Sequence, residues 1–445
     1  MNIDSLKKNV CACIDSKEKE IIHIGETIMD SPELGFKEFN TAQRVCEVFQ
    51  TLGLPYEDKL AQTGVKARLK GKQPGPTVAI MGELDALILP EHPRADTVTG
   101  AAHACGHNAQ IAGMLGAAYG LVDSRIVEKL AGEVIFFAVP AEEFVEIEYR
   151  SRLVRTGKIS FMAGKPELVK LGHFDDIDMA LMIHSSSSES VDGWMGLAAS
   201  SNGFIAKTVK FIGRAAHAGG APDKGVNALS AAQLALSAID AQRPTFRDED
   251  CVRVHPIITK GGSIVNIIPS EVSMETYIRA RTAEAIQDTE EKVDRALKGA
   301  AFAMGCEVNI ETVPGYMPLN NSPGLAAIFR TNATMIFGED KYRDYPHSGG
   351  STDAGDLSQI MPVLHPSMIG AAGTIHGSNW EIADQYSGYV APAKTLATMA
   401  IDLLCDGHAE QILAEESPKM SRDEYLRLQH DFFRSEHYDA EGEML

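Results

Sequence analysis

A chain of 445 residues is too long for one ordinary hydrophobic core, and 44% hydrophobic with 23% charged residues is a globular composition, not a disordered one. A formal net charge of −20 repels phosphate backbones, which excludes nucleic acid as a partner, and no run of eighteen apolar residues exists to span a membrane. The opening segment MNIDSLKKNVCACIDSKEKE has no apolar signal-peptide core. The seven scattered cysteines form neither a disulfide framework nor a paired CxxC site, so the expected compartment is the cytoplasm.

Helical apolar spacing predicts a helix over about residues 5–30, ended by Ser31-Pro32, and a second from about Asn40 to Leu52, stopped at Gly53. Apolar runs of strand length follow at 76–87, 133–143 and 179–186, with helix-like stretches between them. Buried strands alternating with helices predict an α/β fold with a mostly parallel sheet covered on both faces. From about Gly203 the texture changes to strand, helix, two strands, long helix and strand. That βαββαβ order predicts a small α+β domain inserted in the larger one. After Pro314-Gly315 the α/β pattern resumes, with a strand at 362–370 and a closing helix at 391–405. The expected division is a catalytic domain over 1–200 and 315–445, interrupted by a lid domain over 201–314.

The reactive residues gather just past the carboxyl ends of the predicted strands, where open α/β sheets bind ligands. Glu83 and Asp85 follow the first strand, and His103-Ala-Cys105-Gly-His107-Asn108 enters the next helix. Glu142-Glu143 follow the second strand, His184 ends the third, and His376 follows the 362–370 strand. Thiolate, imidazole and carboxylate groups at one sheet edge suit zinc, manganese or a similar divalent ion. Adjacent carboxylates allow one to bind metal while its neighbour takes a proton from an attacking water, whose pKa a metal lowers from about 15.7 to roughly 7. Taken singly, each feature has an ordinary reading: a packed cysteine, a solvated acidic pair, a core histidine. Their coincidence at successive strand ends is what points to a site.

These segments are familiar in combination. HACGHN (103–108), PAEE (140–143), HAGGAP (217–222) with GVNAL, and GGSIVNIIPSEVSMETYIRAR (261–281) resemble the M20 metallopeptidase superfamily, closest to its amidohydrolase branch. The resemblance runs from PELGFKEF to the closing helix and implies two divalent metal ions per chain, manganese ahead of zinc, cobalt or nickel. By position it makes Cys105, His107, Glu143, His184 and His376 the ligands, with Cys105 bridging as thiolate. Glu142 then resembles the general base, and Asp85 the carboxylate that orients a ligand. His217 resembles the lid histidine that reaches a partner subunit's site and stabilises an oxyanion, while Asn266 and Arg279 resemble residues that hold substrate. A homodimer through the lid is implied, with a related unlike subunit as the alternative.

Three motifs depart from the usual family pattern. Asp-x-Asp appears as Glu83-Leu-Asp85, Cys-Gly-His-Asp-x-His as Cys105-Gly-His107-Asn108-Ala-Gln110, and Gly-Ser-Glu-Asp-Phe as a Ser351-Thr-Asp353-Ala-Gly-Asp356 segment. All five implied ligands are retained, and the departures resemble aminobenzoyl-glutamate hydrolase subunits. The expected activity is therefore metal-dependent cleavage of the amide bond in a small N-acyl or N-aroyl amino acid. A hydrolytic deaminase on the same scaffold and a non-catalytic metal-binding subunit are the alternatives. A thiol hydrolase built on Cys105 and His107 is rejected, because it leaves Glu142, Glu143 and two distant histidines without a role.

Overall fold

The computed structural model describes residues 2–187 and 195–445. It divides into two compact units, one of Met1–Ala199, Asn320–Pro346 and Asp356–Ser421, the other of Ser200–Leu319, His347–Gly355 and Arg422–Leu445. Among the described residues no helix is long and apolar enough to cross a membrane.

The first unit is organised by a six-stranded mixed sheet in the order 56–60, 64–70, 131–139, 73–83, 179–181, 363–364. The predicted apolar runs form its middle. Residues 78–83 and 134–139 are buried without interruption, as strands covered on both faces must be. Gln73–Glu83 pairs in parallel with both neighbours, Val78 facing Val134 on one side and Met179 on the other. The helix His107–Asp123 is buried from His107 through Leu121 and packs between the strand and the helices Ile3–Ser16, Glu18–Met29 and Ala391–Cys405.

Several predicted elements are divided. The helix expected over 5–30 is two helices, interrupted at Lys17, whose backbone (φ −106, ψ 8) leaves the helical region. The strands expected at 179–186 and 362–370 each break in two. Their first halves pair with each other in the main sheet, Val363 opposite Ala180. Their second halves pair in a second sheet, Ser367 opposite His184. Pro366 sits at one break, where it has no N–H to give to a ladder. The antiparallel strands Tyr56–Leu60 and Gly64–Lys70 were not foreseen, being short and interspersed with charged residues, with Tyr56–Leu60 forming the sheet edge.

The second unit contains the expected βαββαβ order: Gly203–Ile212, Ala228–Gln242, Ile257–Lys260, Glu271–Ala280, Ala283–Met304 and Glu307–Pro314. Beneath its sheet the fully buried Lys207 ammonium lies 2.8 Å from both Glu290 and Asp294, so no charge is left unpaired there. The C-terminal residues, expected with the catalytic domain, belong here instead. Arg434–Tyr438 adds an antiparallel strand to Glu307–Pro314, with Thr312 opposite Arg434. That strand covers one sheet edge. The other is formed by the short strands Arg253–Val254 and Ile257–Lys260.

In the first unit, the loop after Val139 is fastened by the buried Glu38. Its Oε1 accepts the Ala141 N–H at 2.8 Å and its Oε2 the Thr63 hydroxyl at 2.6 Å. Burial, reinforced by the nearby Asp85 carboxylate, raises the Glu38 carboxyl from its ordinary 4.5 to about 7. A raised acid pKa means that the folded state holds the proton more tightly. The associated stability is present below pH 4.5 and lost as pH rises through about 7. Glu38→Gln, which does not titrate, should therefore gain on the wild-type chain by up to about 3 kcal/mol across that window. Urea unfolding of both metal-free proteins at a series of pH values checks this, and parallel stability curves would contradict it.

Candidate metal centre

Parallel pairing brings three strand ends to one edge, and the connecting backbone then aims the side chains. Gly106 caps the helix that opens at His107 with φ 91°, a conformation that favours glycine. A Cβ at that position would fall 2.8 Å from the Ser185 Cβ, so the residue must be glycine for Cys105 and His107 to lie against the His184 segment. The result is a buried set in which Cys105 Sγ lies 3.3 Å from His184 Nε2. His376, half exposed and with φ 60°, is tied by its N–H to the Ala104 carbonyl at 2.9 Å. Its Nε2 lies 3.4 Å from Glu143 Oε1.

Asp85 organises two of these groups at once. Its backbone carbonyl lies 2.8 Å from His107 Nδ1, which as the only possible donor of the pair carries the proton. The Asp85 Oδ2 accepts the Glu143 N–H at 2.8 Å. His107 Nε2 is thereby turned toward Glu83 Oε2 at 3.0 Å and Glu142 Oε2 at 3.8 Å. From beneath, the fully buried Arg150 donates to the Glu143 carbonyl and, at 2.6 Å, to the Met162 carbonyl. His184 Nδ1 lies 2.6 Å from the Ser185 carbonyl, which leaves its Nε2 for the Cys105 side.

The donor set fits a pair of divalent ions. Cys105, His107 and His184 each offer a ligand atom within 4.8 Å of the others, and so do Cys105, Glu143 and His376. The two groups share the thiol. His107 Nε2 and Glu143 Oε1 are buried without a hydrogen-bond partner, and such atoms are costly unless something fills the gap between them. The electrostatics agree. Burial, then the Glu143 carboxylate, pushes the Cys105 thiol well above its ordinary range, so a thiolate there requires a cation beside it. Burial opposes a charged His107 ring, yet the Glu83 carboxylate and Cys105 outweigh it and raise its pKa. Burial, then the His107 charge, lowers His184.

The remaining residues of interest separate clearly. His103 is buried, with neither ring nitrogen hydrogen-bonded, and burial followed by His107 lowers it to about 3. The His365 ring lies 5.7 Å from that of His184, and burial lowers it to about 3 as well. Asn108 donates to the Gly25 carbonyl and the Tyr389 hydroxyl, a packing role. His347, His217, Asn266 and Arg279 belong to the second unit. There His347 bridges Ser200 and Asn202 at 2.9 and 2.8 Å. His217 is exposed, and its Nδ1 accepts the Gly219 and Gly220 N–H groups at 3.2 and 2.9 Å, so a neutral ring carries its proton on Nε2. Asn266 is exposed and its carbonyl accepts from Ala218. Arg279 donates to the Ser351 hydroxyl at 2.9 Å and lies over the Phe204 ring at 5.1 Å. Sequence reasoning did not identify Glu38, Arg150 or Lys165. Each is a buried charge; the partners of Glu38 and Lys165 are distant in the chain, and Arg150 is held by carbonyls 7 to 12 positions away.

Comparison with known proteins agrees with this reading. Residues 79–401 match the model of the peptidase family M20/M25/M40. The chain is 28% identical over 428 residues to the Xaa-Arg dipeptidase of Mus musculus, covering 90% of each sequence. It is 26% identical over 329 residues to the N-acyl-L-amino acid amidohydrolase of Geobacillus stearothermophilus, covering 71% of this chain and 81% of that one. In structure it is similar to the YXEP protein of Bacillus subtilis, described as a dinuclear metal-binding peptidase of the M20 family. The TM-score is 0.67 at 21% identity, over 88% of this chain and 99% of the other. A match over most of the length, on a fold whose strand ends gather these donors, means that the chain belongs to the peptidase family M20/M25/M40 and is a hydrolase of C–N bonds.

Proposed function

We propose that this protein hydrolyses the amide bond of a small N-acyl or N-aroyl amino acid, of the aminobenzoyl-glutamate kind. The observation that carries the reading is the pair of donor triads sharing Cys105, with the Glu142 carboxylate beside them, 3.8 Å from His107 Nε2. Cys105, His107 and His184 would hold one divalent ion, and Cys105, Glu143 and His376 a second, manganese being our choice. When bound, the ions supply Lewis acidity toward a carbonyl oxygen and lower the pKa of a water.

The chain's own groups supply the rest. Glu142, 8% exposed, takes the proton of the attacking water and returns it to the departing nitrogen. Asp85 keeps Glu143 and His107 in place, so its part is positional. His217, with Nδ1 held by two backbone N–H groups, presents Nε2–H as a donor for the oxyanion of a partner subunit's substrate. Arg279, fixed by Ser351 and the Phe204 ring, binds the substrate carboxylate, and Asn266 supports it.

The homodimer this requires is supported by the sheet edge left open in the second unit. Ile257 and Ile258 are exposed on that edge strand, and Ile264, Val265 and Ile267 are exposed in the segment after it, Val265 completely. The seven cysteines are free, as a reducing compartment such as the cytoplasm keeps them.

The test of the reading is metal analysis together with a substrate panel of N-acyl amino acids, N-aroyl amino acids and Xaa-Arg dipeptides, run with and without chelator. Two ions per chain and chelator-sensitive release of a free amino acid from the aroyl substrates are expected. Ammonia release from amino-aromatics with no amide cleavage would move the assignment to a deaminase. Glu142→Ala should retain both ions and lose roughly 10²- to 10⁴-fold in turnover, the scale of a lost proton-transfer group. Unchanged turnover would remove Glu142 from the mechanism. His217→Ala should lose roughly 10²-fold with metal content intact. Refolding it together with Glu142→Ala should then restore about a quarter of wild-type activity, because half the dimers contain one complete site. No recovery on mixing would show that His217 does not act across subunits.

A further inference from the structure

Two of the departures from the family's usual motifs turn out to be one structural feature. Glu83 and Gln110 stand 27 positions apart in the chain, yet the Gln110 amide donates to Glu83 Oε2 at 2.7 Å. The other carboxylate oxygen, Oε1, accepts from the fully buried Lys165 ammonium at 2.5 Å. Lys165 arrives from a different direction. Its helix begins at Gly164, where a Cβ would lie 1.7 Å from the Pro140 carbonyl, so only glycine lets this helix press against the loop that carries Glu142 and Glu143. Buried charges are costly unless paired, and here an ammonium, a carboxylate and an amide are spent on the orientation of a single carboxylate group.

That orientation aims Glu83 Oε2 at His107 Nε2, 3.0 Å away. The two atoms do not meet the geometry of a hydrogen bond, and His107 Nε2 has no other hydrogen-bond partner. Because His107 Nδ1 is committed to the Asp85 carbonyl, Nε2 is the ring nitrogen left to face Glu83 and to bind a metal ion in place of a proton. A carboxylate oxygen and an imidazole nitrogen facing each other in a buried place need a positive charge between them, a proton on the ring or a metal ion that displaces it. Donors about 2.1 Å from one ion and roughly at right angles to each other are about 3.0 Å apart, which is the separation seen. Glu83, His107 and Glu142 each offer an atom within 4.8 Å of the others, a third donor group that shares His107 with the first.

We propose that Glu83 is a further metal ligand, on the His107 side of the site, pre-oriented by Lys165 and Gln110. This rests on the two-metal reading above and adds to it a hard oxygen donor, which favours manganese over zinc at that position. Lys165 and Gln110 are positioning residues and touch no ion. The Lys165 ammonium also offsets the added negative charge, so the site gains an oxygen ligand without gaining net charge.

Cobalt(II) serves as the test ion, its uptake measured by competition against a chromophoric chelator and its environment by the visible absorption spectrum. The wild-type chain should take up two ions. Glu83→Gln should weaken one of the two by at least roughly 10- to 100-fold, leave the other unchanged, and alter the cobalt spectrum. Since this variant leaves Lys165 buried without its carboxylate, which costs stability, the double variant Glu83→Gln, Lys165→Met removes both charges and should show the same selective loss. Unchanged affinities and spectrum in a folded variant would overturn the proposal while leaving the two-metal reading intact. So would a fall in the thermal midpoint of the metal-free protein with metal binding unaltered, because that marks a purely structural pair. A wild-type chain that binds fewer than two cobalt ions would overturn the underlying reading and this proposal with it.

Discussion

The parallel registration of three central strands is the constraint on which the rest of the structure depends. Glu83 lies opposite Val139, and Ile80 opposite Leu181, so the three strands terminate on one edge. Several groups of the site are placed by the few residues that follow these ends. Asp85 is two positions past its strand, Glu142 and Glu143 three and four past theirs, and His184 three past Leu181. A register slip of one residue would turn these side chains to the opposite face, and the buried apolar runs on either side make such a slip costly. The hydrophobic effect thus sets the geometry of a polar site it does not touch.

Around that edge the protein tolerates an unusual concentration of buried charge, with Glu38, Glu83, Asp85, Arg150 and Lys165 all 1% exposed or less. Each is bound to backbone or to an opposite charge. Glu38 and Arg150 hold the loop of Glu142 and Glu143 by its amide and carbonyl groups, and Asp85 connects that loop to His107. Such groups cost desolvation, and their return is precision: a metal site tolerates only small errors in donor position. The positive φ of Ala141 and of His376 belongs to the same economy, with strained backbone retained where the surroundings over-determine it.

The second unit uses the same devices for a different end. Lys207, Glu290 and Asp294 form a buried ionic cluster under its sheet, and the terminal strand Arg434–Tyr438 seals one edge. The opposite edge carries Ile257 and Ile258 exposed on its short strand, with the exposed Ile264, Val265 and Ile267 in the segment that follows. His217 belongs to that same side, bridged to Ile267, so a contact made there would order the histidine's surroundings as well.

Hydrophobic patterning predicted the α/β class, the βαββαβ order and a cluster of Cys, His and acidic residues near strand ends, while the choice of Cys105, His107, Glu143, His184 and His376 among them came from the family resemblance. The first three follow from local periodicity and from the rule that parallel strands end together. Tertiary structure decided what periodicity cannot encode. The runs at 179–186 and 362–370 look continuous because both halves are buried, and only their partners reveal that each run serves two sheets. The terminal strand is charged and reads as an ordinary tail until Glu307–Pro314 is there to pair with it. Glu83 and Gln110 could be read as separate oddities of two motifs, and Lys165, 82 positions from Glu83, as a solvated lysine. A sequence reports which residues are apolar enough to be buried. A buried charge is justified only by the distant group that neutralises it, and that pairing exists only once the chain has folded.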